Sequence, residues 1–287
     1  MAILSIQSQV SVGHAGNSAA VFPIQRLGLE VWPVSTTLLS NHRGFPRWRG
    51  FTPDASQLAD ILLGIEQHGA LKACRAVLVG YLGGAPQAEV IAEAVSRIRA
   101  VNADALFCLD PVMGEKETGL YVDAGIPEII TGRLLPLADV LTPNLFELEY
   151  LSGKPVKSLE QALIAADSLR ERGPEVVICT SYALAGDALD RVATLAVSGS
   201  GTWRVETPLF TIPDYLSGTG DAFVAIFLTR YLDTGSVPCA LSHAVSAVYG
   251  LIRATLEADP GADELGLIAA QDEIVAPSIV FDAEVVR

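Results

Sequence analysis

Positive charge and long apolar runs are both scarce in this chain of 287 residues. The 19 lysines and arginines face 33 aspartates and glutamates, and the net charge of −14 argues against a nucleic-acid partner or an anionic membrane surface. No run approaches the roughly 20 apolar residues that a bilayer span needs. No basic stretch precedes the apolar start of the chain, so no signal peptide is predicted. The sequence therefore predicts a cytoplasmic protein without a membrane or nucleic-acid partner.

Cysteine is rare, and its spacing excludes a disulfide framework or a thiolate metal centre. The four cysteines are Cys74, Cys108, Cys179 and Cys239, and none forms a C-x-x-C pair. Cys108 and Cys179 lie within apolar runs typical of strands, and no histidine cluster accompanies them. We expect reduced thiols that act as small core residues.

Several common motifs are absent as well. The sequence has no G-x-x-x-x-G-K-[ST] phosphate loop, and Gly13–Gly16 does not form the G-x-G-x-x-G dinucleotide fingerprint. It also lacks the G-x-S-x-G elbow of serine hydrolases. These absences disfavour P-loop nucleotide hydrolysis, dinucleotide binding and serine hydrolysis.

The composition predicts a large core. Half of the residues are hydrophobic and 18% are charged. Apolar runs typical of buried strands alternate with stretches of helical periodicity, which predicts an α/β fold with a mostly parallel central sheet and helices on both faces. No linker or composition break divides the chain, so we expect one domain over residues 1–287. Strands are predicted at 2–10, 30–39, 76–82, 106–111, 139–142 and 176–180, with a hairpin at 191–197 and 202–207 and a mostly helical tail.

Polar residues recur where the predicted strands end. In open α/β sheets, ligands bind beyond the carboxyl ends of the strands. This rule gives the polar residues one shared location, at which we expect a ligand site. The residues are Ser8, Tyr81, Asp110, 142–144 and 180–181.

The stretch Ser217-Gly218-Thr219-Gly220-Asp221 precedes an apolar helical run. Glycines at 218 and 220 allow successive N–H groups to converge, and the start of the helix favours an anion. A carboxylate beside an anion site is repelled by it, unless Asp221 reaches a hydroxyl that attacks a phosphate. The alternative is an ordinary helix start with an acid in its first turn.

A second group of acids allows two interpretations. Asn144 and Glu147 lie three residues apart at the start of a helix, which is typical of a capping box. Alternatively, Asp110, Glu115 and Glu147 hold Mg²⁺ through water, because hard cations prefer oxygen ligands. His42 lies in a glycine-containing loop and is a candidate ligand contact.

Taken in order, the motifs resemble those of the ribokinase-like superfamily, and within it the pyridoxal kinases. The glycine–aspartate motif 218–221 identifies the superfamily alone, whereas the front end is specific to the vitamin B6 branch. The resemblance runs nearly end to end. The matching segments are 7–8, 16–20, 40–42, 80–81, 110–114, 142–148 and 218–221.

The resemblance implies a ribokinase-like three-layer fold and ATP-dependent phosphorylation of the 5′-hydroxymethyl group of pyridoxal, pyridoxine or pyridoxamine. It implies that Asp221 is the catalytic base and that the amides of Gly218 to Gly220 form an anion hole. It also implies Mg²⁺ with ATP, a monovalent cation and a homodimer. The implied substrate contacts are Ser8, Ala15, His42, Arg43 and Tyr81. The implied ATP and phosphate contacts are Asp110, Glu115, Thr142, Asn144, Thr180, Ser181 and Thr219, with Asp110 and Glu147 at the metal.

Two positions depart from the family pattern. Arg43 stands where pyridoxal kinases commonly have threonine, and Leu120 where some bacterial relatives have a cysteine that traps pyridoxal. Two other functions stay open. One is a kinase for another small alcohol, a hydroxymethylpyrimidine or a sugar, although hydroxymethylpyrimidine kinases typically have cysteine in place of Asp221. The other is a low-activity protein that binds and delivers pyridoxal phosphate.

Overall fold

The computed structural model describes residues 1–182, 190–212 and 216–287. Within these ranges, ten strands form one sheet and two form a separate hairpin. The strands are β1 Ala2–Val10, β2 Glu30–Leu39, β3 Gly50–Phe51, β4 Cys74–Val79, β5 Leu106–Leu109, β6 Gly114–Glu115, β7 Gly119–Leu120, β8 Val140–Leu141, β9 Val176–Tyr182, β10 Arg191–Ser198, β11 Gly201–Pro208 and β12 Glu284–Val285. The α-helices are α1 Asn17–Arg26, α2 Ala55–Gln67, α3 Pro86–Val101, α4 Gly125–Ile129, α5 Leu145–Ser152, α6 Leu159–Arg170, α7 Thr219–Thr234, α8 Val237–Ala258 and α9 Asp272–Val275.

The sheet has the order β12-β11-β10-β9-β8-β5-β4-β1-β2-β3. Its centre, from β2 through β1, β4, β5 and β8 to β9, is parallel throughout. The flanks are antiparallel: β3 pairs with β2 at one edge, and β10, β11 and β12 follow β9 at the other. The predicted α/β class and the predicted hairpin at 191–207 are confirmed.

The hydrophobic core lies on both faces of the sheet. Successive strand residues point to opposite faces, so Ala76 and Leu78 of β4 pack with α1, α7 and α8, whereas Val77 and Val79 pack with α2, α3, α5 and α6. A parallel sheet covered on both faces requires apolar residues at nearly every strand position. This explains why the central strands appear in the sequence as continuous apolar runs.

Short elements differ from the predictions. The segment 40–52, predicted to be a loop, contains β3, and the predicted loop after Asp110 contains the β6–β7 hairpin. The predicted helix 126–135 is α-helical only over Gly125–Ile129 and continues as a wide π turn and a 3₁₀ turn, because Pro136 offers no N–H to an α-helix. The tail after Asp221 is mostly helical, as predicted, because α7 and α8 occupy most of it; beyond α8 it contains α9 and β12 and is mostly irregular.

Helix α8 has the length and apolar composition of a membrane span, contrary to the expectation from the sequence. Its apolar window is 44% buried inside the protein. The helix packs against α7 and against strands β10 and β11. Its apolar residues therefore serve as core, and by themselves are weak evidence for a membrane span.

Candidate active site

The carboxyl ends of five parallel strands meet at one edge of the sheet and bring the predicted polar residues to it. Ser8 lies near the end of β1, and Tyr81 follows β4. Asp110 follows β5, Thr142 follows β8, and Ser181 lies near the end of β9. The strand order thus brings these polar residues to one edge of the sheet.

Asp110 and Thr142 are bonded side chain to side chain at this edge. The Thr142 hydroxyl donates to Asp110 Oδ1 at 3.0 Å, and both residues are buried. The Asp110 N–H donates to Val79 O at 2.8 Å, which fixes the backbone beyond β5. Burial, followed by the charges of Glu147 and Asp221, raises the pKa of Asp110 well above its usual range.

Glu147 forms a complete capping box at the start of α5, so the capping interpretation is confirmed. Its Oε2 accepts from the Asn144 N–H at 3.0 Å, and Asn144 Oδ1 accepts from the Glu147 N–H at 2.9 Å. Its Oε1 accepts from the Met113 N–H at 2.9 Å. Burial raises the pKa of Glu147 to about 7 despite these amide donors. Asn144 Nδ2 donates to Gly114 O at 2.8 Å, so both ends of its side-chain amide form a hydrogen bond within the protein.

Asp221 lies in the first turn of α7. Gly218 is the N-cap residue with φ +86°, and a Cβ there would lie 2.4 Å from His14 O, so both conformation and space require glycine. Thr219, Gly220 and Asp221 follow, and the N–H groups of a first helical turn have no intrahelical acceptor. This turn presents amide donors beside the Asp221 carboxylate.

The Asp221 carboxylate is held by a backbone amide from the other end of the chain. The Gly16 N–H donates to Asp221 Oδ2 at 2.8 Å. Burial raises the pKa of Asp221 above its ordinary value, and this hydrogen bond opposes the rise. Gly16 has φ +57°, and a Cβ there would lie 2.1 Å from Ser8 O, so Ser8, Gly16 and Asp221 lie together.

Thr180 and Ser181 form a bulge in β9. They face the single residue Thr194 in the pairing with β10, between the pairs Cys179–Leu195 and Tyr182–Ala193. Ser181 is the non-glycine residue with positive φ, at 50°, in the described part of the chain. The Thr180 N–H donates to Pro143 O at 3.0 Å, which joins this bulge to the start of α5. A bulge changes the direction of the side chains that it contains, and this bulge lies beside the start of the helix that carries Glu147.

Glu115 lies on the β6–β7 hairpin, and its Oε1 accepts from the Thr118 hydroxyl at 3.2 Å. Its charge contributes to the raised pKa of Glu147, so it is within electrostatic reach of the acidic pair. Leu120 is partly exposed on the partner strand of this hairpin.

Ser8 and Ala15 lie at the end of β1 and just beyond it. Both are largely buried, and Ala15 packs with Val10 and Leu39 in a small apolar cluster. This cluster is separate from the two main core layers, and it gives the site an apolar wall.

The 40–52 segment contributes a cation and aromatic rings. Arg43 Nη1 donates to the Tyr81 hydroxyl at 2.9 Å, and the guanidinium lies 4.7 Å from the Trp48 ring centroid and 5.6 Å from that of Tyr81. His42 Nδ1 accepts from the Gly44 N–H at 3.1 Å, and burial, followed by the charge of Arg43, lowers the pKa of His42. Arg43 therefore binds Tyr81 and Trp48, and does not simply extend into solvent.

Asp110 and Glu147, the acidic pair of the site, form a candidate cation site. Across residues 1–182, 190–212 and 216–287, no three His, Cys, Asp or Glu side chains converge as a metal-binding group. Asp110 and Glu147 nevertheless place two buried, mutually repelling carboxylates beside the Thr142 hydroxyl. Such oxygen donors suit a hard cation that keeps several waters. The donor set therefore fits hydrated Mg²⁺.

Sequence reasoning did not identify several groups that hold these side chains. The Gly16 and Met113 amides were missed, since any residue type can supply an N–H. The signal in the sequence was the glycine at 16, which marks a close backbone approach. Arg43 and Tyr81 form a pair of their own. Ser8 lies beside Asp221 through Gly16, and the charge of Asp221 reaches Asp110.

The sheet order and the acid-bearing turn at its edge place this chain in the ribokinase-like class of α/β kinases. The sequence profile described as phosphomethylpyrimidine kinase matches residues 66–265. The relative "Pyridoxal kinase PdxY" of Deinococcus radiodurans is 44% identical over 98% of this chain and 95% of its own length. Its namesake from Rubrobacter xylanophilus is 47% identical over 97% of this chain and 95% of its own length.

A solved structure agrees with these relatives. "Pyridoxal Kinase from Leishmania donovani in complex with ADP and Pyridoxine" matches with a TM-score of 0.92 and 32% identity, over 100% of this chain and 99% of that chain. The chain belongs to the pyridoxal kinase family.

Proposed function

We propose that this chain transfers the terminal phosphoryl group of ATP to the 5′-hydroxyl of pyridoxal, and of pyridoxine and pyridoxamine, in vitamin B6 salvage. The observation that carries the proposal is the Asp221 carboxylate, oriented by the Gly16 N–H at the start of α7. The family relatives are named pyridoxal kinases, and the solved relative from Leishmania donovani holds ADP and pyridoxine.

Asp221 is the proposed general base. It orients the attacking hydroxyl and accepts its proton, a role that typically contributes about 10²–10⁴-fold to the rate. A base works best when its pKa approaches the working pH, and burial moves the pKa of Asp221 in that direction.

The amides of Gly218 to Gly220 are the proposed anion hole. The transferred phosphoryl group carries its negative charge on oxygens, which fixed N–H donors at a helix start stabilise without reorganisation. Phosphoryl transfer depends mostly on such positioning and charge neutralisation. The proposed nucleotide contacts around it are Asp110, Glu115, Thr142, Asn144, Thr180, Ser181 and Thr219.

Asp110 and Glu147 are the proposed holders of Mg²⁺, mainly through water, because both oxygens of Glu147 already accept backbone N–H bonds. When bound with ATP, Mg²⁺ neutralises phosphate charge. A monovalent cation is a further proposed cofactor, by family resemblance.

Ser8, Ala15, His42, Arg43 and Tyr81 are the proposed contacts of the vitamer. Ser8 packs against Gly16, which follows Ala15 in the sequence. The Gly16 N–H is the group that binds Asp221. Arg43 and Tyr81 supply a cation and a ring from the 40–52 segment. We also propose that residues 1–287 form one domain, that two copies form a homodimer, and that the protein is cytoplasmic.

An ATP-consumption assay across pyridoxal, pyridoxine, pyridoxamine and hydroxymethylpyrimidine tests the proposal, with and without Mg²⁺. Turnover is expected with a B6 vitamer and Mg²⁺. Hydroxymethylpyrimidine is the second candidate, because the phosphomethylpyrimidine kinase profile matches residues 66–265. Turnover with hydroxymethylpyrimidine and with no B6 vitamer would overturn the proposal. Binding of a vitamer without turnover would overturn it as well.

Asp221→Asn tests the base. We expect folding and ATP binding to persist, while turnover falls by about 10²–10⁴-fold. Asp233→Asn is the control, since Asp233 is an exposed acid on the same helix that pairs with Arg230. Near-normal turnover of the Asp221 variant would remove this residue from the mechanism.

A further inference from the structure

The amide that holds Asp221 lies in a tight turn before α1: the Ser18 N–H donates to Ala15 O at 3.1 Å, and Gly16 forms an isolated antiparallel bridge with Gln9. Gly16 precedes the first residue of α1, and no side chain caps this helix start. Its φ of +57° with ψ of −131° is open to glycine alone, the residue with the greatest backbone freedom. The position of the Gly16 N–H depends on how this turn is attached to the sheet, which the residues that follow Gly16 constrain.

Asn17, the next residue, supplies that constraint. Its Nδ2 donates to Gln7 O at 3.2 Å and to Val34 O at 3.1 Å, so one amide group binds both β1 and β2. These bonds lie where the pairing of the two strands shifts register, between Gln7 and Gln9. Asn17 is 2% exposed, so water does not compete for these bonds.

The two ends of the Asn17 side-chain amide differ, because only the Nδ2 end forms hydrogen bonds with the described residues. Its Oδ1 is buried without a hydrogen-bond partner among the described residues. A buried unpaired acceptor is unfavourable and uncommon. Among the described residues, the two bonds of its Nδ2 are the hydrogen bonds that the Asn17 side chain makes.

Ser18 adds a second attachment of the same segment. Its hydroxyl donates to Val10 O at 2.6 Å and accepts from the Val10 N–H at 3.3 Å. The segment is thus bound to β1 on both sides of Ser8, through Gln7 and Val10. Gly16, held between these points, donates to Asp221 Oδ2.

We propose that Asn17 is a positioning residue for phosphoryl transfer, whose bonds to Gln7 O and Val34 O hold the Gly16 N–H against the Asp221 carboxylate. Ser8, packed on Gly16, is fixed by the same bonds. Asn17 therefore aligns the base with the end of β1, where the acceptor alcohol is proposed to bind. This inference rests on the proposed role of Asp221.

Steady-state kinetics of Asn17→Ala test the proposal. Misplacing a catalytic group by about 1 Å costs on the order of 10²-fold, so we expect kcat to fall 10- to 100-fold while KM for ATP changes less than about twofold. Asn102→Ala is the matched control, because Asn102 Nδ2 donates to Cys74 O at 2.7 Å at the opposite end of the sheet. It should lower the melting temperature and leave kcat within about twofold.

A double-mutant cycle separates positioning from general destabilisation. In an Asp221→Asn background, Asn17→Ala should lower the residual turnover by less than about threefold, since residues that act through one another are not additive. A kcat loss no larger than that of Asn102→Ala, or one that is equally large in both backgrounds, would overturn the proposal.

Ser18→Ala keeps the proposal falsifiable if Asn17→Ala does not fold. It removes the second attachment and should lower kcat about 3- to 10-fold, with that loss suppressed in the Asp221→Asn background. An unchanged kcat would contradict the proposal. Failure of the proposed function is distinct: the wild type would then not turn over any B6 vitamer, and the same variants would be measured with the alcohol that it does phosphorylate.

Discussion

Glu147 shows how one residue serves both the fold and the site. Its carboxylate closes the capping box of α5 and also accepts from the Met113 N–H, yet burial still raises its pKa to about 7. The N–H groups of Met113, Asn144 and Gly114 all donate to this carboxylate, but they do not fully compensate for its loss of hydration. A cation beside Asp110 and Glu147 would supply the missing compensation.

The raised pKa of Glu147 predicts a pH-dependent stability of the metal-free protein. Between pH 4.5 and about 7, the folded state keeps a proton that the unfolded state has released, so the free energy of unfolding falls as pH rises through this window. Glu147→Gln removes that dependence. Relative to the wild type, the variant should gain about 3 kcal/mol between pH 5 and pH 8, measured by denaturant unfolding.

Glu160→Gln is the control, because it removes the charge of an exposed glutamate outside the site. An equal effect of Glu147→Gln at pH 5 and pH 8 would contradict the assignment. Added Mg²⁺ should stabilise the wild type more than the Glu147 variant at pH 8.

The placement of Asp110, Glu147 and Asp221 could be predicted from the sequence, because each lies at the end of a predicted strand or in the first turn of a predicted helix. The hydrogen-bond partners were not predictable in the same way. Glu147 binds the Met113 amide, and Asp221 binds the Gly16 amide. Which N–H reaches a carboxylate depends on how distant segments pack, and not on the local residue type.

At the scale of elements, α7 has a left-handed glycine at each end, and the two glycines differ in their surroundings. Gly218 has φ +86° and would place a Cβ 2.4 Å from His14 O. Gly235 has φ +65° and no atom within 4 Å of such a Cβ. Substituting Gly218 and Gly235 in turn therefore distinguishes the cost of a left-handed backbone, which both share, from the cost of a steric clash, which only Gly218 has.

Gly218→Ala should therefore cost more stability than Gly235→Ala and should also lower activity. The left-handed conformation costs both variants about 1–2 kcal/mol. The clash with His14 O adds to this for Gly218→Ala and displaces the turn before Asp221, so we expect turnover to fall at least tenfold. Gly235→Ala should keep turnover within about twofold; equal turnover of the two variants would contradict this account of the turn.

Long elements could be predicted from the sequence, whereas two-residue strands could not. Strands β1, β4 and β9 are each at least six residues long and begin with or contain an apolar run, which the sequence reveals. β3, β6, β7 and β12 are each two residues long. β3 and β12 exist because they pair with the end of a long strand, and β6 and β7 because they pair with each other. Such pairing is a property of the fold and not of the segment.

At the scale of the whole molecule, β12 covers an edge of the sheet. Trp203 and Arg204 of β11 pair with Val285 and Glu284, and the Val286 N–H donates to Thr202 O at 2.9 Å. Arg287 forms an ion pair with Asp167. The tail thus blocks β11 from pairing with another chain, an edge that proteins commonly protect.

Truncation after Asp282 should lower stability and promote association. Losing about two net backbone hydrogen bonds costs on the order of 2 kcal/mol, which should lower the melting temperature by several degrees. Light scattering should detect aggregation through the exposed β11. Turnover per folded molecule should persist, because the tail lies at the β11 edge and the site at the strand ends of the parallel centre.

Arg287→Ala is the milder control, since it keeps β12 and removes an exposed ion pair worth at most about 1 kcal/mol. If truncation lowers stability no more than Arg287→Ala, the pairing of β12 contributes little.

The hydrogen bond between Gly16 and Asp221 joins residues 205 positions apart. During translation, most of the chain must therefore be synthesised before the Gly16 N–H can bind Asp221, which at 5–20 residues per second takes about ten seconds or more. Nascent chains and fragments that end before α7 lack the proposed base entirely. We therefore expect such incomplete chains not to hydrolyse or transfer the phosphate of ATP, so that the cell loses no ATP to them.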